Sequence, residues 1–206
     1  MAGSGVQLLI PEPGKEGADW VADVQDAGDA FIVGAWIVNL AGLVGVVALL
    51  GFYDHLKHAG PVTVIAPVVG ALGLTLVTIS HAVPIAMAQE LAPEYTAANA
   101  ATFDTFAATC LVLNYFGNIF NWAIMVPLYA FAILKTGALP RWVAYIGLVA
   151  AFFAGWLGAL APLSGVIEGV TTIGFLAFFV FLASMGITIL RRRGEPAPEG
   201  APAVLS

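Results

Sequence analysis

Residues 31–52 read FIVGAWIVNLAGLVGVVALLGF, an unbroken stretch with no charged side chain. A helix needs about 20 apolar residues to cross the hydrocarbon core of a bilayer, so this stretch predicts a transmembrane helix. Working outward along the chain, four more such runs appear: Val62 to Ala88, Phe106 to Leu134, Val143 to Leu160 and Val170 to Leu190. None contains Asp, Glu, Lys or Arg. The runs are continuously apolar, not alternating, and too long for the strands of a membrane barrel. The expected fold class is therefore all-α, a polytopic transmembrane helical bundle of about five spans over residues 31–193.

Composition agrees. The 206 residues are 60% hydrophobic and 10% charged, whereas a soluble domain carries about 25% charged residues. That excludes an ordinary soluble enzyme, and the same hydrophobicity excludes intrinsic disorder for the chain as a whole. A net charge of −6 argues against a nucleic-acid partner, which needs a basic face. The bilayer itself is the first partner expected. The single cysteine, Cys110, allows neither an intrachain disulfide nor a cysteine metal cluster.

Charge sets the expected orientation. Five spans divide the connections between two sides. One side takes the N-terminal segment and the loops after spans two and four, with one basic residue against ten acidic ones, a net of −9. The other takes Lys57, Lys135, Arg141 and Arg191 to Arg193 against Asp54, Glu195 and Glu199, a net of +3. Lys and Arg mark the cytoplasmic side. The N-terminus is expected outside and the C-terminus in the cytoplasm of a prokaryotic inner membrane. Residues 1–30 form an acidic extracytoplasmic segment, without the basic n-region and apolar core of a signal peptide. Its carboxylates from Glu12 to Asp29 recur every three or four residues, while Trp20, Val21 and Val24 fall elsewhere on that helix. Two readings follow: a solvated acidic tail, or a short amphipathic helix that docks a partner or cation. Residues 194–206, rich in Pro, Gly and Ala, are expected to be a disordered cytoplasmic tail.

Uncharged polar residues inside the spans are the best clue to a site, because each needs a partner there. Asn114, Asn118 and Asn121 fall on one face of the third span, at about 100° per residue. Span two contributes Thr78, Ser80 and His81, followed by Pro84, which frees a carbonyl that Asn114 or His81 could satisfy. Counted from the outer end, His81 and Asn114 lie at similar depths. Thr78, His81, Asn114, Asn118 and Asn121 are thus the candidate ligand-binding residues, set against the plainer reading that they fix helix packing. His81 could instead be a haem ligand, though one histidine supplies one axial position only. Adjacent Ser80 and His81 point about 100° apart on a helix, a poor start for a serine hydrolase. Asp54, His55 and His58 share metal-like spacing on one short loop and read as plain loop residues. In span four, Gly147, Ala151 and Gly155, and also Ala150, Ala154 and Gly158, repeat every four residues. That pattern predicts a helix packed closely on two sides. The Phe-rich spans four and five read as core or lipid-facing surface, with a bound quinone or pigment as the sharper option.

The stretch Leu134-Lys135-Thr136-Gly137-Ala138-Leu139-Pro140-Arg141-Trp142, then a Gly-containing helix at Gly147 and a last helix ending in Arg191-Arg192-Arg193, resembles a bacterial family. It is a family of polytopic inner-membrane proteins known only as a domain of unknown function. The resemblance covers residues 127–193 and implies a helical membrane bundle, with no catalytic residue to carry over. Members of that family generally have six spans, and this chain has its acidic segment where another span would fall. The leading functional expectation is a non-catalytic accessory or structural subunit of a larger membrane complex. The alternatives are a small-molecule binder or permease with an outward-facing polar cavity, and a redox subunit carrying haem, quinone or pigment near His81.

Overall fold

The computed structural model describes residues 17–163 and 165–192. Glu12, Lys15, Glu16, Arg193 and the 194–206 tail lie outside the described residues. Every regular element among the described residues is helical. We number the helices α1 (Gly17–Ala27), α2 (Asp29–Leu56), α3 (Val62–Ala86), α4 (Ala100–Asn118), α5 (Val126–Thr136), α6 (Arg141–Ala150) and α7 (Gly165–Arg192). A π-helical segment, Ile119–Met125, joins α4 to α5 in one rod, and another, Ala151–Leu157, extends α6.

Among the described residues, five helices are long and apolar enough to cross a membrane: Asp29–Ala59, Val62–Leu91, Ala100–Thr136, Arg141–Leu160 and Ile173–Arg191. They match the five runs in order. The third begins six residues earlier than its apolar run, because Thr102, Asp104 and Thr105 continue the helix after the run has ended. Asn99 organises that start: its side chain accepts from the Thr96 N–H at 2.8 Å and donates to the Glu94 carbonyl at 2.8 Å. At about 1.5 Å per residue, this rod exceeds the ~30 Å hydrocarbon core and must project beyond it.

α3 is the centre of one half, packed between α2 and α4. Glycines make the close approaches. A Cβ on Gly73 would lie 2.8 Å from the Gly117 carbonyl, and one on Gly117 would lie 2.7 Å from the Gly73 carbonyl. Each backbone thus occupies the other's missing side chain, a geometry that brings Cα–H groups onto carbonyl oxygens. Gly42 and Gly45 of α2 make room for Thr78 and Leu74 in the same way. In the other half, the α6 rod is wedged as the small-residue repeats require. Its Gly147 receives the Phe181 ring of α7, its Ala154 lies on Gly174 of α7, and its Gly155 abuts the backbone of Trp122 and Ala123.

The outward surface is apolar. The first long helix is mostly uncovered, and Leu40, Val44, Val47 and Leu50 are each more than half exposed. Soluble monomers do not present apolar faces of that extent; a bilayer would cover them.

The two ends differ as the charge count predicts. At the basic end, Lys135 Nζ donates to the Ala59 carbonyl at 3.0 Å, tying the α5–α6 turn to the α2–α3 turn. Gly137 closes α5 in the left-handed conformation, φ 64°, which a side chain disfavours. At the acidic end, α1 is helical, and its apolar face is buried. Trp20 sits edge-on to Phe31 at 5.6 Å and 5.2 Å from the Phe103 ring, with Val21 and Val24 beside it. Neither reading of the acidic segment anticipates this docking onto the chain's own bundle, since the Phe103 partner lies some eighty residues away.

Candidate functional site

Thr78 and His81 lie on α3, and Asn121 of the α4–α5 rod packs against its Gly73. Gly42 of α2 lies against Thr78, Gly45 against Leu74, and Leu49 against Gly70. That antiparallel register places Asn39 level with Ser80 and His81. On the other side, Gly73 meets Gly117 and Asn121, and Gly117 meets Val77. Three residues farther toward the acidic end, Asn114 lies opposite Leu76 to Ser80 of α3. Asn114 thus falls within about one turn of His81 in depth, and Asn39 joins the same layer. Asn39 escaped the sequence reading, which noted only that the first span lacks charge. Its signal was plain: an amide within an apolar run, the criterion that singled out the other three asparagines.

Within this layer, hydrogen bonds run mostly along helices. His81 Nδ1 lies 2.7 Å from the Val77 carbonyl and 3.1 Å from Ser80 Oγ. Ser80 Oγ donates to the same carbonyl at 2.7 Å. A carbonyl only accepts, so Nδ1 carries the proton and Nε2 is left as the lone-pair nitrogen. Adjacent Ser80 and His81 do touch, contrary to the expectation from helical spacing. They are nevertheless no nucleophile–base pair, because both donate to Val77 and Nδ1 has no lone pair to take a proton. Nor does the His81 ring serve the carbonyl freed by Pro84, which is that of Ser80; it turns to Val77 instead. Asn118 Nδ2 donates to Asn114 Oδ1 at 3.3 Å, one turn away on the same helix. Both asparagines are half-buried. Asn121 departs from their line, since it falls in the π-helical segment, where each turn takes more residues. It is 3% exposed, and its Oδ1 points at Gly73, occupying the place of a Cβ. Thr78 directs its hydroxyl toward Gly42.

Two buried acceptors in this seam have no hydrogen-bond partner, Asn39 Oδ1 and Asn121 Oδ1. The second rests on the Gly73 backbone. The first is the one amide oxygen of the layer with neither bond nor such a seat. Chemically, Asn39 Oδ1 and His81 Nε2 offer lone pairs to a hydrogen-bond donor. At the basic end, Asp54 pairs with Lys57 at 2.9 Å. Among the described residues, no three His, Cys, Asp or Glu side chains group to hold a metal.

Three further polar contacts cross between helices: Tyr129 of α5 donates its hydroxyl to the Leu49 carbonyl of α2 at 3.3 Å, and the other two answer to proline. Pro127 has no N–H to give the Ala123 carbonyl four residues earlier, and Trp156 Nε1 donates to it at 3.1 Å. Pro162 likewise deprives Ala159, in the 3-10 segment Gly158–Leu163, and the Tyr115 hydroxyl donates there. The aromatic-rich faces meet as packed rings, with Trp122 and Phe175 at 4.2 Å. Comparison with protein-family models, curated proteins and solved structures finds no match.

Proposed function

We propose that the chain is a non-catalytic, multi-pass protein of a prokaryotic cytoplasmic membrane that serves as a subunit of a larger membrane assembly. Its acidic end, with α1, faces outward, and its basic end faces the cytoplasm. The observation that carries this reading is the use of the interior polar groups. Ser80, His81, Tyr115 and Tyr129 are bonded to backbone carbonyls, and Asn118 to Asn114. None is arranged as a nucleophile with a base. The broad apolar faces of α2 and α7 supply surface for lipid and neighbouring subunits. Purification from the native membrane in mild detergent, followed by native mass spectrometry, tests the reading. A stoichiometric partner chain is expected; a clean monomer contradicts it.

A second reading is favoured by Asn39 Oδ1, buried and unpartnered at the level of His81. In it, the layer of Asn39, Thr78, His81 and Asn114, with Asn118 and Asn121 deeper, binds a small hydrogen-bond donor entering from the acidic end. Replacing Asn118 with Leu separates the two readings. Unchanged ligand retention at unchanged stability would remove the binder reading.

A further inference from the structure

α1 is attached through a single break. Gly28 has φ 52° and ψ −133°, a combination open to glycine and closed to residues with a Cβ. Its N–H ends α1 on the Val24 carbonyl at 2.9 Å, and its carbonyl starts α2 by accepting from Phe31 at 3.1 Å. No neighbouring atom lies within 4 Å of a Cβ built there, so the joint has room to turn. The docked face is apolar: Trp20, Val21 and Val24 lie on a cluster that continues through Phe103, Ala35 and Ile85 to Cys110. Cys110 lies two turns below Phe103 on the same face of α4. The docking is incomplete in one respect: Trp20 Nε1 is buried without a hydrogen-bond partner. A plug that leaves its own donor unsatisfied is held less firmly than a fully bonded helix.

We propose that α1 is a hinged plug, swinging about Gly28 to cover and uncover the apolar cluster of Phe103, Ala35, Ile85 and Cys110 at the acidic end of the bundle. The plug works the same way whether the bundle is an assembly subunit or a binder, and whichever side its acidic end faces.

The test follows thiol reactivity in detergent micelles, where sidedness has no effect. In a Cys110→Ala background, Val24→Cys places a thiol on the docked face, and Gln25→Cys places one on the exposed face as reference. With a water-soluble maleimide, Val24→Cys is expected to react about 10-fold or more slower than Gln25→Cys, as a site reached by local opening does. Adding Trp20→Ala removes the plug's largest docked side chain. Adding Gly28→Ala strains the closed joint. Each is expected to bring the Val24→Cys rate close to the reference, with helical circular dichroism unchanged. If Trp20→Ala loses helix, Gly28→Ala alone decides. The proposal is overturned if Val24→Cys already reacts as fast as the reference, or if neither substitution raises its rate.

Discussion

Proline makes the consequential demand at the residue scale. Pro127 and Pro162 each strip a carbonyl of its helical donor, and lipid offers no replacement. Trp156 and Tyr115 fill the gaps from across the bundle. Trp156→Phe keeps the ring and deletes the donor, so the Ala123 carbonyl is left bare. We expect a loss of about 1–2 kcal/mol, read as a lower thermal midpoint in detergent. Asn39 supplies the opposite case. If its Oδ1 has no partner in the working protein, Asn39→Leu leaves stability unchanged or raises it by up to about 1 kcal/mol. A clear destabilisation in the same unfolding measurement would show that something bonds Asn39. The asparagine stripe was legible as residues, because helical spacing puts them on one face. Their bonding was not, because Asn118 turns to its own helix and Asn121 sits in a π turn that shifts its direction.

The two π-helical segments decide the packing at the element scale. Gly155 lies in one and touches the backbone of Ala123 in the other; a Cβ there would stand 2.6 Å from the Ala123 nitrogen. Backbone cannot step aside as a side chain can. Gly155→Ala should therefore cost about 1–3 kcal/mol, within the range for overpacked cores. Gly186 meets nothing within 4 Å, and Gly186→Ala should be neutral or stabilising by up to about 1 kcal/mol, as expected for α7 interior. Unfolding curves of the two variants side by side check the pair; equal losses would deny the close crossing. The four-residue repeat of small residues in 147–158 did foretell a helix wedged on two sides. It did not foretell the π segments, because a pattern read at 3.6 residues per turn assumes the geometry that these segments break.

At the scale of the whole molecule, charge and hydropathy reach far. The five apolar runs locate five helices, since a helix in lipid must be apolar along its length whatever it packs against. Segregation of charge is visible in the same letters, and the structure gathers Asp19, Asp26, Glu94 and Asp104 at the end opposite Lys57, Lys135 and Arg141. The docking of α1 was hidden. Trp20, Val21 and Val24 announce an apolar face, and nothing local names Phe103 as its target. The non-catalytic reading depends on side-chain directions, such as that of His81 Nδ1 to Val77, which no spacing rule supplies.

The central claim, a bundle crossing the membrane with its acidic end out, is tested most directly by sided labelling in intact cells. In the Cys110→Ala background, Gln25→Cys reports the acidic end and His58→Cys the turn at the basic end, both at exposed positions. The account predicts that a membrane-impermeant maleimide labels Gln25→Cys in intact cells and His58→Cys only after permeabilisation. Labelling of His58→Cys in intact cells, with Gln25→Cys protected or equally reactive, would contradict it.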